Sequence, residues 1–225
     1  MTKRKNNYEY PELSDSKKNR FYDPLEDKIY CLQDNELHFT SDVDVDSIER
    51  LCKEMGELIA KNESKLVKRN KNKNEDYKDV EPFVITYIVD SHGGSVKDVL
   101  KFVDYIKLAR KKYVNIKFVS VITGLAASAG TIMCAIADER KMTENASAMI
   151  HELSGGTGHC KYTQIQSHAK FTTDLHNKLI SIYLYALNKE TNDKKEIEKI
   201  EYLLKQETWF TSSEYQEAGF VSEIL

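Results

Sequence analysis

A unit that occurs twice between residues 83 and 137 constrains the fold most: an apolar run, a glycine-containing turn, then a helical pattern. Phe83 to Val89 is almost continuously apolar, as expected of a strand covered on both faces of a parallel sheet. It ends in Asp90-Ser91-His92-Gly93-Gly94-Ser95, and Ser95 is placed to cap a helix with Val96, Val99, Leu100, Val103, Ile106 and Ala109 on one face. The second unit is the strand pattern Ile116 to Ile122, the small-residue stretch Gly124-Leu125-Ala126-Ala127-Ser128-Ala129-Gly130, and an apolar helix pattern from Thr131 to Ala137. Two such units in succession demand crossover connections, hence an α/β fold with a parallel sheet. Both glycine turns then lie at the carboxyl ends of strands, where open α/β sheets hold their ligands.

The flanks fit one domain. Residues 1–35 are polar, Tyr-rich and carry two of the three prolines, Pro11 and Pro24, which predicts an extended arm. Residues 36–225 are read as a single domain, of a length that buries a sizeable core. Within it Leu37 to Thr40 predicts a short strand, with Ser41 or Asp46 as cap of an amphipathic helix carrying Ile48, Leu51, Cys52, Met55, Leu58 and Ile59. Residues 61–79 form a Lys/Asn-rich insertion with seven basic and four acidic residues. With only Tyr77 for base stacking, a solvated loop is favoured there over a nucleic-acid patch. After the strand Ala148 to Ile150 come His151, the glycines Gly155, Gly156 and Gly158, and a long helical pattern from Tyr162 to Asn188. Ile165, Ala169, Leu175, Leu179, Ile182 and Ala186 share one side of it. A charged helix (193–205) follows, with Ile197, Ile200 and Leu203 inward. Next come Trp209-Phe210, a capping-box signal at Thr211 to Glu214, and a final strand from Phe220 to Leu225.

Composition narrows the function. The net charge of −3 gives no general attraction to nucleic acid. The four cysteines are scattered without paired metal spacing, so no metal or cofactor is implied and a reducing, cytoplasmic setting is expected. No apolar run approaches the roughly 18 residues of a membrane span, and Lys3-Arg4-Lys5 is not followed by the apolar core of a signal peptide.

Ser128 is the residue with chemical promise. It stands where a strand hands over to a helix. Small neighbours there admit a substrate backbone, and the free N–H groups of a helix's first turn accept negative charge. A serine in that place is a nucleophile, an ordinary helix N-cap or a close-packing position. As nucleophile it needs a base, and His151, ending a strand of the same core, is the natural one. His38, His92, His159, His168 and His176 are weaker candidates by position. Cys160 beside His159 lacks the second ligand pair of a zinc site.

Three motifs in order, Asp90 to Val96, Gly124 to Gly130, and Met149-Ile150-His151-Glu152 with Gly155-Gly156, resemble the proteolytic subunit family of the Clp proteases. The closing Glu214 to Val221 also looks like that family's end. The resemblance covers roughly residues 36–225 apart from the Lys/Asn insertion. It implies a fold of repeated β-β-α units in a superhelix, shared with the crotonases, and a protruding handle over residues 152–188. It further implies Ser128 as nucleophile, His151 as base and the Gly94 and Ala129 N–H groups as oxyanion donors. The implied assembly is a homo-oligomer, a heptameric ring or a double ring of fourteen, fed with unfolded polypeptide by an AAA+ unfoldase ATPase. His92 stands where the family has proline. Where the family's third triad member is an aspartate, alignment back from Gly219 places Glu207; Asp174 and Asp193 are the other carboxylates weighed. Two further readings stand beside the serine endopeptidase: a weak or inactive structural subunit of a mixed ring, and a capsid-maturation protease of related fold. A crotonase-type acyl-CoA enzyme ranks below these, since it needs no Ser-His pair at these turns.

Overall fold

The computed structural model describes residues 29–33, 35–73, 81–113 and 115–225. The arm's residues 1–28 and residues 74–80, which include the end of the insertion (61–79), lie outside the described residues.

The two predicted units form the centre of the sheet. β3 (Phe83–Ser91) and β4 (Ile116–Ala127) pair in parallel from Phe83↔Ile116 to Val89↔Ile122, joined through α2 (Val96–Lys112). Ile85, Tyr87 and Val89 are buried on one side of β3, against α2 and α3 (Ala129–Ala135). The sheet runs outward through β2 (Glu36–Phe39), parallel to β3, and β1 (Ile29–Gln33), antiparallel to β2. On the other flank β5 (Glu139–Met142) and β8 (Glu223–Ile224) continue it in parallel. The predicted α/β fold with a parallel sheet is therefore observed. The strand β1 falls inside the stretch assigned by composition to the arm.

β4 changes partner along its length, and this positions the functional residues. Over Val119–Ile122 it pairs with β5, and over Leu125–Ala127 with β6 (Ser147–Ile150). Gly124 lies between the two ladders with φ 70°, and a Cβ there would stand 2.8 Å from Asp90 Oδ1. Asp90 in turn accepts the Leu125 N–H at 3.0 Å. The stretch expected to be a turn from Gly124 onward is thus a second length of strand, and the turn proper is confined to Ser128. β6 also pairs antiparallel with β7 (Thr208–Thr211), with Ile150 opposite Thr208.

The helices depart from expectation in instructive ways. α1 (Val45–Lys73) continues well into the segment read as a solvated loop. Lys, Arg and Glu are good helix formers, and no Pro or Gly interrupts the run. Its cap is neither Ser41 nor Asp46 but Asp44, whose Oδ1 accepts the Ser47 N–H at 2.8 Å while Ser47 Oγ accepts the Asp44 N–H at 3.0 Å. α2 is capped by Ser95 as predicted. In α4 (Tyr162–Ala186) the apolar side is buried only from Leu179 onward, while Ile165 (50 % exposed) and Phe171 (58 %) stand open on the first half. α5 (Lys194–Lys205) buries Ile200 and Leu204, and α6 (Ser212–Glu217) carries the predicted capping box at Thr211 and Glu214.

Candidate active site

Ser128 follows β4 and precedes α3 with φ 52° and ψ −121°. A non-glycine residue in this region carries strain of about 1–3 kcal/mol. It sits at the N-cap position of α3, yet its hydroxyl makes no cap bond. Instead Ser128 Oγ lies 2.8 Å from Nε2 of His151. The N-cap alternative is thereby set aside.

The sheet explains why residues 23 apart in sequence meet. The β4–β6 ladder places Ala127 opposite Met149, and the Ser128 N–H donates to the Met149 carbonyl at 2.8 Å. His151 is then the first residue past the end of β6. Its neighbour is pinned from the far side, since the Leu204 carbonyl accepts the Glu152 N–H at 3.1 Å. Both Ser128 and His151 are half-buried, so the pair is screened from bulk water but reachable. A hydroxyl so placed has a base within reach of its proton.

The glycine turn after β3 lies against this elbow. A Cβ on Gly93 would fall 2.7 Å from Ser128 Cβ and 3.0 Å from the Ala129 nitrogen. A Cβ on Gly94 would collide with the Val43 carbonyl oxygen. With φ of 95° and 144°, both positions call for glycine on two counts. Ser91, buried at the end of β3, organises the turn: its hydroxyl donates to the Ser41 carbonyl at 2.6 Å and accepts the Gly93 N–H at 3.1 Å. Val43 bridges Gly94 in parallel by bonding Gly93 O and Ser95 N–H, both at 2.7 Å. In a parallel bridge of that kind Gly94's own N–H takes no part in the pairing with Val43. Ala129 opens α3, so its N–H has no partner within the helix. The glycine turn and the start of α3 are thus packed together beside Ser128.

Replacing Gly94 with alanine tests this wall directly. Moving Val43 aside displaces the turn and its N–H, and loss of one such donor costs about 10²–10³ in kcat. If Ser128 is a nucleophile met by this turn, that loss is expected in its reaction, together with a lower Tm from the clash and the strained φ.

A model of the Clp protease family matches residues 74–225. The chain belongs to the Clp protease family. ATP-dependent Clp protease proteolytic subunit 1 of Chlamydia trachomatis serovar D is 31% identical over 144 residues, spanning 63% of this chain and 69% of the relative. The subunit 1 of Protochlamydia amoebophila is 30% identical over 144 residues, 63% of this chain and 65% of its own. The ATP-dependent Clp protease proteolytic subunit of Streptococcus thermophilus is 30% identical over 140 residues, 61% of this chain and 66% of its own.

The third residue aligned to the site, Glu207, is less closely engaged. Glu207 lies one step beyond Thr208, which faces Ile150, so its backbone is level with His151. Its N–H shares the Leu204 carbonyl with Glu152, at 3.2 Å. It too has a positive φ, 48°. Its side chain is exposed, and among the described residues its carboxylate accepts no hydrogen bond from His151. Of the competing carboxylates, Asp193 is occupied as the cap of α5, accepting the Glu196 N–H at 3.3 Å, and Asp174 stands exposed on α4.

None of the other histidines shares a hydrogen bond with Ser128 among the described residues. His92, His159 and His168 are exposed, and His176 faces Glu201 at 4.0 Å. Cys134 is buried, which pushes its thiol up to about 12, whereas Cys52, expected to be buried with it, is only partly covered. Among the described residues no three metal-binding side chains converge, and no helix is long and apolar enough to cross a membrane. Ser91 and Thr131 support the site without a local sequence signal of their own: Ser91 lies within the Asp90 to Val96 motif, and Thr131 is the one hydroxyl in the apolar α3 run.

Proposed function

We propose that this chain is a serine endopeptidase, the proteolytic subunit of an ATP-dependent Clp-type protease, acting on unfolded polypeptides. The observation that carries the reading is the 2.8 Å contact between Ser128 Oγ and His151 Nε2 at a strained strand-to-helix elbow. His151 takes the hydroxyl proton as Oγ attacks the scissile carbonyl. The oxyanion that forms is held by the Gly94 and Ala129 N–H groups. His151 then protonates the leaving amine, and water, activated by the same imidazole, releases the acyl group from Ser128.

Glu207 is proposed as the third member. Supporting this are its backbone next to the β6–β7 pair that ends at Ile150 and Thr208 and the reach of its extra methylene relative to aspartate; the role requires its exposed side chain to turn toward His151. Changing Glu207 to glutamine keeps the shape and removes the charge. The expected loss in kcat is up to about 10⁴-fold, by analogy with the amide replacement of a triad carboxylate, with Tm unchanged. An unaltered rate removes Glu207 from the mechanism.

A single domain over 36–225 whose sheet takes β1 from the arm (1–35), the handle (152–188), a homo-oligomeric ring, an AAA+ unfoldase partner and a cytoplasmic location complete the proposal. The first half of α4, with Ile165 and Phe171 exposed, supports a subunit contact there. One observation favours a second reading, a weakly active or structural subunit of a mixed ring: His151 has no carboxylate on its Nδ1 among the described residues. Hydrolysis of a short fluorogenic peptide by the purified chain, with native mass recorded alongside, separates the two. Turnover by a homogeneous ring supports the enzyme, and an intact ring that cleaves nothing supports the structural subunit.

A further inference from the structure

Two buried hydroxyls that take no part in the steps above grip the elbow from inside. Thr131 is completely buried, and its Oγ1 lies 2.6 Å from the Ser128 carbonyl oxygen and 2.8 Å from the hydroxyl of Tyr183. The Thr131 N–H also donates to Ser128 O, at 3.0 Å. Tyr183 is buried in the second half of α4, 52 residues away in sequence from Thr131.

The proton positions follow from the partners. A carbonyl oxygen only accepts, so Thr131 donates its single hydroxyl proton to Ser128 O. The Tyr183 hydroxyl must then be the donor to Thr131 Oγ1. Burial holds the phenol well above its ordinary titration range, so that proton is always present. The chain reads Tyr183 O–H to Thr131 Oγ1–H to Ser128 O.

What this chain controls is the direction of an N–H. The peptide unit between Ser128 and Ala129 is planar and trans, so its C=O and N–H point in opposite directions. Holding Ser128 O toward the core aims the Ala129 N–H outward. Ser128 is strained at φ 52°, and rotation of the 128–129 peptide unit is the motion open to relieve it.

We infer that Thr131 and Tyr183 form a relay that fixes the Ala129 peptide, making Tyr183 a positioning residue for the oxyanion site and coupling α4 to it. The inference rests on the proposed function, in which Ser128 is the nucleophile and Ala129 a donor. Its chemistry predicts a defect confined to the transition state, because the substrate's own carbonyl leans on this N–H less than the oxyanion does.

The test compares Tyr183→Phe, Thr131→Val, Thr131→Ser and the Tyr183→Phe/Thr131→Val double variant in the full-length chain. Tyr183→Phe removes no carbon and keeps the edge-on packing against Phe220 at 5.7 Å. Hydrolysis of a fluorogenic peptide and inhibition by a peptide boronate, which forms a tetrahedral adduct, are both measured. Tyr183→Phe is expected to lower kcat roughly tenfold, below the cost of losing a donor outright, with KM within about twofold. Boronate affinity should fall by the same factor. Thr131→Val should lose more, and Thr131→Ser, which keeps the hydroxyl, should stay within about threefold of the parent. The double variant should match Thr131→Val, since both changes cut one chain. A Tyr183→Phe chain with less than a threefold loss in kcat overturns the relay, whatever happens to its Tm. So does a Thr131→Ser chain that falls with Thr131→Val, or losses that multiply in the double variant. If Thr131→Val does not fold, Tyr183→Phe and Thr131→Ser decide. A parent that neither cleaves the peptide nor reacts with a fluorophosphonate refutes the underlying function and the relay with it. An active parent with an unchanged Tyr183→Phe refutes the relay alone.

Discussion

Ser128→Ala is expected to eliminate peptide hydrolysis, a loss of about 10⁶ in kcat. The residual rate over water, about 10³–10⁴-fold elsewhere when the backbone donors survive, is too slow to register in a routine assay. The reason for so sharp an effect is local. Ser128 Oγ bonds His151 and caps nothing, so the substitution removes one atom that has no structural duty. Alanine also carries a Cβ and meets the φ of 52° with the same strain as serine. Folding, Tm and native mass should therefore be those of the parent. Peptide turnover by Ser128→Ala within tenfold of the parent, in a preparation free of other peptidases, contradicts the nucleophile.

His151→Gln is expected to be nearly as damaging, again about 10⁶, because nucleophile and base act as a unit and neither works without the other. Glutamine is chosen because its amide reaches the Ser128 hydroxyl and preserves a hydrogen bond there. It cannot hold the proton that the attack releases. A histidine that merely packed would tolerate this change with little effect on kcat. The Ser128/His151 double variant should be no slower than either single one, and multiplied losses would show that the two side chains act separately.

The parts of the fold that were legible in the sequence are those where one local rule decides. The apolar runs of β3 and β4 read as buried parallel strands, and Ser95 and Thr211 were recognisable caps because the capping residues are neighbours in sequence. Ser128 and His151 were found from motif order, but their meeting depends on the β4–β6 register, which no local pattern encodes. The partner switch at Gly124 was missed because small residues read as a turn whether or not a strand runs through them. The continuation of α1 was missed because a Lys/Asn-rich composition resembles a loop, although its Lys and Glu content favours helix. β1 lies in a stretch whose overall polarity masked five residues of strand. On α4 the periodicity was right, but periodicity does not say which turns meet a partner, and Ile165 and Phe171 meet none within the described chain. The Tyr183–Thr131 contact joins two elements far apart in sequence and had no sequence signal beyond a hydroxyl in an apolar helix. Glu207 shows the opposite limit: alignment set its backbone beside His151, whereas its side chain faces solvent.

The central claim is that the Ser128 hydroxyl is made nucleophilic by His151 at the carboxyl end of β4. Reaction of the native protein with a fluorophosphonate, followed by peptide mapping and intact mass, addresses it most directly. The account predicts one adduct per active chain, on Ser128, appearing in step with the loss of peptide hydrolysis and absent from His151→Gln. An active protein that stays unlabelled, or one whose activity disappears with the adduct on another residue, contradicts it.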